Sequence, residues 1–204
     1  MIRRGFLQAG GGSTRFGMDK ALAKLAGKTM LRRTGELLAS ICHEISIVAP
    51  AGKYVNVPWP VIADRWPGEG PLGGILTALS TMQDSDSSKD WALILSCDMP
   101  FLTKEFLNFL WERASLNPAQ VVVPQSTKGL EPLCACWNVR AATSVQSSFD
   151  SGIRKVSEAV KRLPTEVLDE SAWKRFDSEG RLFWNMNTPE DYEEARRIIE
   201  VEDR

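Results

Sequence analysis

The chain has 204 residues, of which 43% are hydrophobic and 25% are charged. This composition is typical of a globular protein, and the length favours one domain over two. Lysine and arginine total 25 against 26 aspartate and glutamate, which argues against a nucleic-acid partner. The residues before the first glycines are too few for a signal-peptide core. The longest later apolar run, residues 91–95, is far short of the ~20 residues of a membrane span. We therefore expect a cytoplasmic protein without a membrane partner.

The four cysteines and the single histidine give no sign of a metal site. Cys42, Cys97, Cys134 and Cys136 lie in apolar surroundings without C-x-x-C spacing, so we expect buried, reduced thiols. His43 has no second histidine nearby. A zinc site is not expected, because zinc requires three or four such ligands together.

Apolar runs alternate with stretches of helical periodicity through the first 123 residues. The predicted strands are RRGFLQA, EISIVA, WPVIAD, WALILSC and QVVVP, and the predicted helices are TMLRRTGELLASI, GGILTALSTM and TKEFLNFLWERA, the last with Thr103 as its N-cap. Such alternation predicts an α/β fold, a single Rossmann-like three-layer domain whose mostly parallel sheet carries helices on both faces. Ligands of such sheets bind beyond the carboxyl ends of the strands.

The order is less regular from Pro132 onward. The segment EPLCACW predicts a strand that returns antiparallel, VRAATSVQSSF and GIRKVSEAVKRL predict two short helices, and TEVLD predicts a strand. The last helix, TPEDYEEARRIIE, has Thr188 as its N-cap and Pro189 at its first position.

A glycine-rich loop, AGGGSTRFGMDK at residues 9–20, follows the first predicted strand. The dinucleotide pattern G-x-G-x-x-G fails there, because Arg15 occupies the third glycine position. The phosphate-loop pattern also fails, because Met18 and Asp19 stand in place of lysine and serine or threonine.

The same loop still has the features of a phosphate site. Backbone N–H groups of Gly10, Gly11 and Gly12 can form an anion nest, and glycine lets a phosphate approach closely. Arg15 offers a planar fork to phosphate oxygens, and Lys20 adds a mobile point charge. The alternative is a plain turn with solvated charges.

Two further loops end strands in a single carboxylate. Asp64 begins DRWPGEGPLGGI, where it would either accept a hydrogen bond from a ribose or base or cap a turn. Asp98 follows a strand that is apolar throughout, so its charge needs a cation or a hard metal such as Mg²⁺, which uses few protein ligands. A simple turn or cap is the alternative for Asp98.

Taken together, AGGGSTRFGMDK, DRWPGEGPLGGI, CDMPFL and NMNTPED resemble the family of small nucleotidyltransferases that make molybdenum cofactor dinucleotides, most closely its guanylyltransferases. The matches follow the family's order over nearly the whole chain. Phe16 stands where the family has methionine, and Gln8 stands where leucine is common. The family's asparagine after the second strand has no counterpart in IVAPAG.

The resemblance implies a nucleotide on the first loop, with Asp64 on the nucleoside and Mg²⁺ on Asp98. The implied nucleotide-binding set is Gln8, Ala9, Gly10, Gly11, Gly12, Lys20, Asp64 and Asp98, and the implied catalytic set is Arg15, Lys20 and Asp98. Asn185 and Asn187 are candidates for the acceptor or a second metal, or they simply order a turn. Lys128 and Arg154 would meet the acceptor phosphate or remain solvated.

The implied reaction transfers GMP from GTP to the phosphate of molybdopterin and releases pyrophosphate. Residues 1–123 would form the nucleotide-binding half and residues 124–204 the acceptor-binding half of one domain, 1–204. Molybdoenzymes or other proteins of the cofactor pathway would be partners. The alternatives are a sister enzyme that uses CTP or another phosphorylated acceptor, and a nucleotide-binding regulator without catalysis. Gln8 leaves the choice of base open.

Overall fold

The structure is a computed structural model that describes residues 2–10, 19–83 and 90–202. The strands are β1 (Arg4–Gln8), β2 (Lys24–Leu25), β3 (Lys28–Thr29), β4 (Glu44–Ala49), β5 (Val61–Ala63), β6 (Trp91–Ser96), β7 (Val121–Ser126), β8 (Gly129–Leu130), β9 (Cys134–Asn138) and β10 (Thr165–Leu168). The helices are α1 (Met30–Ala39), α2 (Pro71–Met82), α3 (Lys104–Ser115), α4 (Ala141–Asp150), α5 (Val156–Val160), α6 (Glu170–Trp173) and α7 (Pro189–Glu202). The described residues also form two short 3-10 helices, Lys20–Leu22 and Lys174–Phe176.

Seven strands follow one another in the main sheet in the order β10-β7-β9-β6-β1-β4-β5, and β8 pairs with β7. All neighbours along this path are parallel except at β9, which runs antiparallel to both β6 and β7. The predicted α/β sheet with one returning strand is therefore confirmed. From β1 the chain proceeds outward to β4 and β5, and then returns to place β6 on the other side of β1. This reversal makes a crevice at the carboxyl ends of β1 and β6.

Alternate side chains of each central strand enter two separate hydrophobic cores. In β6, Leu93 and Leu95 pack on the face covered by α1 and α3, whereas Ala92 and Ile94 pack on the face covered by α2, α4 and α5. Successive side chains of a strand point to opposite faces, so an uninterrupted apolar strand fits only a sheet covered on both sides. The predicted three-layer arrangement is confirmed.

A third, smaller core packs the C-terminal helix α7 against β2 and the beginning of α1. Leu25 of β2 and Met30 of α1 pack with Met186 and with Ala195 and Ile199 of α7. The antiparallel hairpin β2–β3 supplies one side of this contact. As a result, the segment before α7 lies against the 3-10 helix Lys20–Leu22.

The local predictions hold at most element boundaries. The hydroxyl of Thr103 accepts a hydrogen bond from Phe106 N at 3.3 Å, and that of Thr188 accepts one from Asp191 N at 3.2 Å, as expected of N-caps. The two short helices predicted over VRAATSVQSSF and GIRKVSEAVKRL form as α4 and α5, and α5 covers only Val156–Val160 of its segment. Pro164 follows this segment and disfavours helix in the residue before it.

The prediction of buried thiols is confirmed. The four cysteines are buried and unbonded, and exposed His43 accepts a hydrogen bond from Arg3 N at 3.0 Å. In the described ranges, no helix is long and apolar enough to cross a membrane.

Candidate active site

A cavity of about 350 Å³ opens at the crevice between β1 and β6. Its lining contains Gln8, Ala9, Gly10, Asp64 and Asp98 from the predicted set. The remaining lining residues are Val48, Pro50, Gly68, Gly70, Pro71, Gly74, Ser96 and Leu133. Three predicted residues, Gly11, Gly12 and Arg15, lie outside the described residues. The sheet thus brings residues of all three predicted loops to one concave surface.

The floor of the cavity is the end of β1. Ala9 N donates a hydrogen bond to Val48 O at 3.0 Å, which extends the pairing of β1 with β4 past Gln8. Gly10 has φ +100°, and a Cβ atom there would lie 2.5 Å from Pro50 Cδ. Both its backbone conformation and its close neighbour therefore require glycine at the point where the loop begins.

One wall of the cavity is the first turn of α2. Gln8 Nε2 donates to Pro71 O at 3.2 Å. A Cβ atom on Gly74 would lie 2.9 Å from Gln8 Cδ, so the Gln8 amide fills the space that a side chain on α2 would otherwise occupy. Gly70 is the N-cap of α2 and Pro71 is its first residue, and neither offers a side-chain hydrogen bond to the helix end. The backbone at the start of α2 is therefore part of the cavity wall, with no capping side chain in front of it.

Asp64 both caps a turn and lines the cavity. Its Oδ1 accepts hydrogen bonds from Trp66 N at 3.0 Å and from Thr77 Oγ1 at 3.1 Å. Those bonds fix the carboxylate at the end of β5, which is the turn role that the sequence left open. The same carboxylate belongs to the cavity lining, so the two interpretations of Asp64 are compatible.

The structure brings Asp98, Lys20 and Asn187 together. Lys20 Nζ lies 3.7 Å from Asp98 Oδ2 and donates to Asn187 Oδ1 at 2.8 Å. Ser96 Oγ donates to Asp98 Oδ1 at 2.6 Å. The side chains of Lys20 and Asp98 are 15% and 20% exposed, so Asp98 has the cation that a carboxylate at the end of a buried strand requires and still reaches solvent.

The segment before α7 is fixed to this cluster through its backbone. Met186 N donates to Asp98 O at 2.9 Å, and Asn187 N donates to Asp191 Oδ2 at 2.8 Å. Burial alone would raise the pKa of Asp191, but hydrogen bonds from the N–H groups of Asn187 and Thr188 lower it overall. Asn185 Nδ2 instead donates to Phe183 O at 3.3 Å. Asn187 therefore contacts the cluster, whereas Asn185 orders the preceding turn.

Asp19 connects this cluster to the segment that follows β4. Its Oδ1 accepts from Ala21 N at 3.1 Å and so caps the 3-10 helix that begins with Lys20. Its Oδ2 accepts from Tyr54 Oη at 2.7 Å and from Lys53 Nζ at 3.2 Å. Burial, and next the bond to Asp19, raise the pKa of the Tyr54 hydroxyl above its usual range. Sequence reasoning did not assign roles to Lys53, Tyr54 or Ser96, and only the i, i+2 spacing of Ser96 and Asp98 offered a signal.

The thiol of Cys97, next to Asp98, is not activated as a nucleophile. Burial, and next the charges of Asp98 and Asp19, raise the pKa of the Cys97 thiol, so it stays neutral near pH 7. Within residues 2–10, 19–83 and 90–202, no three His, Cys, Asp or Glu side chains form a group able to hold a metal.

A second cavity, of about 490 Å³, lies between the β7–β8 turn and the segment after α6. Its lining includes Ser126, Lys128, Trp173, Lys174 and Trp184. Trp184 is two residues before Met186, whose N–H binds the Asp98 carbonyl, so this cavity adjoins the Lys20, Asp98 and Asn187 cluster.

Arg154 is held elsewhere and does not line either cavity. Its Nε donates to Glu69 Oε2 at 2.6 Å, and its guanidinium lies 3.9 Å from the centre of the Phe149 ring. Of the two cations suggested for an acceptor phosphate, only Lys128 faces a cavity.

Comparison with known proteins identifies the family. Residues 5–165 match the model of the MobA-like NTP transferase domain. The chain belongs to this family. The matched range runs from the second residue of β1 to the first residue of β10, so it includes every residue that lines the cavity at the switch point.

Curated members of the MobA-like family and one solved structure match along almost the entire chain. The molybdenum cofactor guanylyltransferase of Syntrophotalea carbinolica is 28% identical over 93% of this chain and 88% of its own length. That of Rhodopseudomonas palustris is 32% identical, covering 93% and 90%. The molybdopterin-guanine dinucleotide biosynthesis protein A of Archaeoglobus fulgidus superposes with a TM-score of 0.84 at 25% identity, covering 97% of this chain and 99% of that one.

Proposed function

We propose that this protein transfers GMP from GTP to the terminal phosphate of molybdopterin, forming molybdopterin guanine dinucleotide and releasing pyrophosphate. The observation that carries the proposal is the Lys20, Asp98 and Asn187 cluster beside the cavity at the switch point. We take the identities of the nucleotide and the acceptor from the names of the aligned relatives. On this proposal the chain acts as one domain, in which residues 1–123 bind nucleotide and residues 124–204 receive the acceptor.

We assign the guanine base to the end of the cavity formed by Gln8, Gly70 and Gly74. Lys20, the described cation of the site, lies at the other end beside Asp98, so the triphosphate would extend toward it and the base away from it. Backbone N–H groups of Gly10 through Gly12 would cradle the phosphates. Asp64 would accept a hydrogen bond from the nucleoside through the oxygen that does not cap its turn.

We assign Mg²⁺ to Asp98. The donor chemistry fits, because a solvent-reaching carboxylate oxygen suits a hard cation that keeps most of its waters and shares phosphate oxygens. Bound there, the ion would neutralise charge on the phosphates during transfer. Ser96 would hold the carboxylate in place through Oδ1, and Lys20 would remain close enough to share the same phosphate oxygens.

The reaction itself requires no protein nucleophile. An oxygen of the acceptor phosphate attacks the α-phosphorus of GTP, the bond from that phosphorus to the bridging oxygen breaks, and its electron pair leaves with pyrophosphate. Lys20 and Arg15 would neutralise the charge that develops on the leaving group. Asn187 would hold the Lys20 ammonium at the correct position by its hydrogen bond. Positioning and charge neutralisation of this kind are the main requirements of phosphoryl transfer.

We assign the pterin of the acceptor to the second cavity. Trp184 offers aromatic surface to a flat ring system, and Lys128 and Lys174 offer positive charge. The acceptor phosphate would then point toward the Asp98 cluster, which the backbone of residues 184–187 connects to this cavity. Asn187, which already contacts Lys20, would contact that phosphate. The reaction would take place in the cytoplasm, with molybdoenzymes or other proteins of the pathway as recipients.

A direct product assay tests the proposal. The protein is incubated with Mg²⁺, molybdopterin cofactor and, separately, GTP, CTP, ATP or UTP, and the dinucleotide is identified by mass. The expected result is a guanine dinucleotide and pyrophosphate in equal amounts. A cytosine dinucleotide would instead establish the sister activity, for which Gln8 in place of the family's common leucine is the specific observation. The absence of any dinucleotide, with GTP still bound, would establish a regulator.

A further inference from the structure

Lys53 lies between the cavity at the switch point and the 3-10 helix that begins with Lys20. Its Cδ atom is 3.8 Å from the position that a Cβ atom on Gly10 would take, and Gly10 lines this cavity. Its ammonium is 3.2 Å from Asp19 Oδ2, beside Lys20. The Lys53 side chain is 44% exposed. A cation is therefore available at the edge of the cavity from the segment that follows β4.

The backbone around Lys53 is held on both sides. Pro50 packs against Gly10 so closely that a Cβ on Gly10 would be 2.5 Å away. Tyr54 has φ +57°, an unusual conformation for a non-glycine residue, and its hydroxyl is anchored on Asp19 at 2.7 Å. Such conformations persist only where surrounding contacts enforce them. The base of the Lys53 side chain is thus fixed, and only the side chain itself needs to move.

Asp19 does not depend on Lys53 for its hydrogen bonds. Tyr54 Oη donates a hydrogen bond to the same oxygen, Oδ2, and Ala21 N donates one to Oδ1. Ion pairs as exposed as the one between Lys53 and Asp19 contribute little to stability. Lys53 can therefore leave Asp19 at small cost when a more highly charged anion arrives.

We propose that Lys53 is a further polyphosphate-binding residue of this enzyme. When a nucleoside triphosphate binds, its ammonium moves from Asp19 to the β- and γ-phosphate oxygens and stays with the pyrophosphate as it leaves. The inference rests on the proposed function, since it takes the cavity at the switch point to hold the triphosphate. It adds a third cation to Arg15 and Lys20, supplied by the segment after β4.

Comparison of triphosphate with monophosphate binding tests this role. Dissociation constants for GTP and GMP are measured with Mg²⁺ by calorimetry, using competition for the weaker ligand, in the wild type and in Lys53→Ala. One lost charge-assisted hydrogen bond should weaken GTP binding about tenfold, and GMP binding should change less than about twofold. Lys53→Arg should restore most of the GTP affinity. Lys28→Ala, which removes a similarly exposed lysine paired with Glu36 at 2.8 Å, is the matched control and should change neither constant.

The same Lys53→Ala substitution, made in the Asp19→Asn variant, distinguishes direct contact of Lys53 with phosphate from an indirect effect of Lys53 through Asp19. If Lys53 acts only through Asp19, Lys53→Ala should have no effect once Asp19→Asn has removed that charge. If Lys53 touches phosphate, the loss of about tenfold should persist in Asp19→Asn. Equal GTP affinity of wild type and Lys53→Ala, or loss of the effect in Asp19→Asn, would overturn the inference and leave the proposed function intact. Failure of the wild type to bind GTP would refute both.

Discussion

Lys20 Nζ lies 2.8 Å from Asn187 Oδ1, although 167 residues separate the two in the chain. The contact forms because α7 packs against the β2–β3 hairpin and because Met186 N binds the carbonyl of Asp98. The lysine that we propose as catalytic is therefore positioned by contacts between the N-terminal β2–β3 hairpin and the C-terminal segment that leads into α7.

A double-mutant cycle on Lys20 and Asn187 tests this coupling. Lys20→Ala should lower kcat by roughly 10²-fold or more, because it removes a charge that stabilises the transition state. Asn187→Ala should lower kcat by about tenfold through loss of one hydrogen bond to a charged group. The double variant should resemble Lys20→Ala alone, since both changes remove the same contact. Steady-state kinetics with saturating GTP provide the measurement, and simple multiplication of the two losses would show that Asn187 acts independently of Lys20.

Replacement of Asp98 tests the metal assignment. Asp98→Ala should abolish Mg²⁺-dependent turnover, because it removes the carboxylate that we assign to the ion. The fold should survive, since the side chain is partly exposed and the backbone bond to Met186 does not involve it. Turnover is measured over a Mg²⁺ titration, with circular dichroism as the control for folding. Activity equal to that of the wild type would remove Asp98 from the mechanism.

Gln8→Leu tests whether the Gln8 amide contributes to base recognition. Its Nε2 is committed to Pro71 O, which leaves the carboxamide oxygen to accept a hydrogen bond in the cavity. If that oxygen accepts from the 2-amino group of guanine, the wild type should bind GTP about fivefold more tightly than ITP, which lacks the group. The preference should disappear in Gln8→Leu. An unchanged ratio of GTP to ITP affinity in the variant would place the base elsewhere.

Glu131→Gln should stabilise the protein at neutral and alkaline pH. Glu131 is 7% exposed, and burial raises the pKa of its carboxyl despite the 2.6 Å hydrogen bond from Ser126 Oγ. A folded-state pKa above the unfolded value of 4.5 means that stability is highest below pH 4.5 and falls as pH rises through the folded pKa. Glutamine keeps an acceptor for Ser126 and carries no charge. Thermal unfolding from pH 4 to 8 should therefore show equal stability at low pH and a growing advantage for the variant above it.

The opposite sign is a useful control for that experiment. Asp191 has a lowered pKa in the folded state, so its contribution is present above the unfolded value of 3.8 and is lost as pH falls through the folded one. Asp191→Asn should cost about 1 kcal/mol at pH 7, the usual worth of a helix cap. Chemical denaturation at pH 7 and at pH 3 should show this cost at pH 7 and its reduction in acid. A cost that is equal at both values would mean that the Asp191 charge is not responsible.

Periodicity and loop chemistry predicted the fold well, and they predicted the site in part. The uninterrupted apolar run WALILSC and the alternation of strands with helices predicted a parallel sheet covered on both faces. The positions of Asp64 and Asp98 at strand ends predicted two residues of the cavity lining. The β2–β3 hairpin was not predicted, because strands of two residues have no detectable periodicity. Asp19 and Tyr54 were not connected either, since a hydrogen bond over 35 residues depends on tertiary packing alone.

The position of β9 has a consequence for synthesis of the chain. Residues 134–138 form the strand that separates β6 from β7, so the first 123 residues cannot complete the sheet by themselves. On the ribosome, β7 cannot join β6 in the main sheet until β9 has emerged. We expect that nascent chains stopped before residue 134 remain sensitive to protease and that resistance begins only after Asn138 has left the exit tunnel. The proposed nucleotide half is thus contiguous in sequence but dependent on the second half for its assembly.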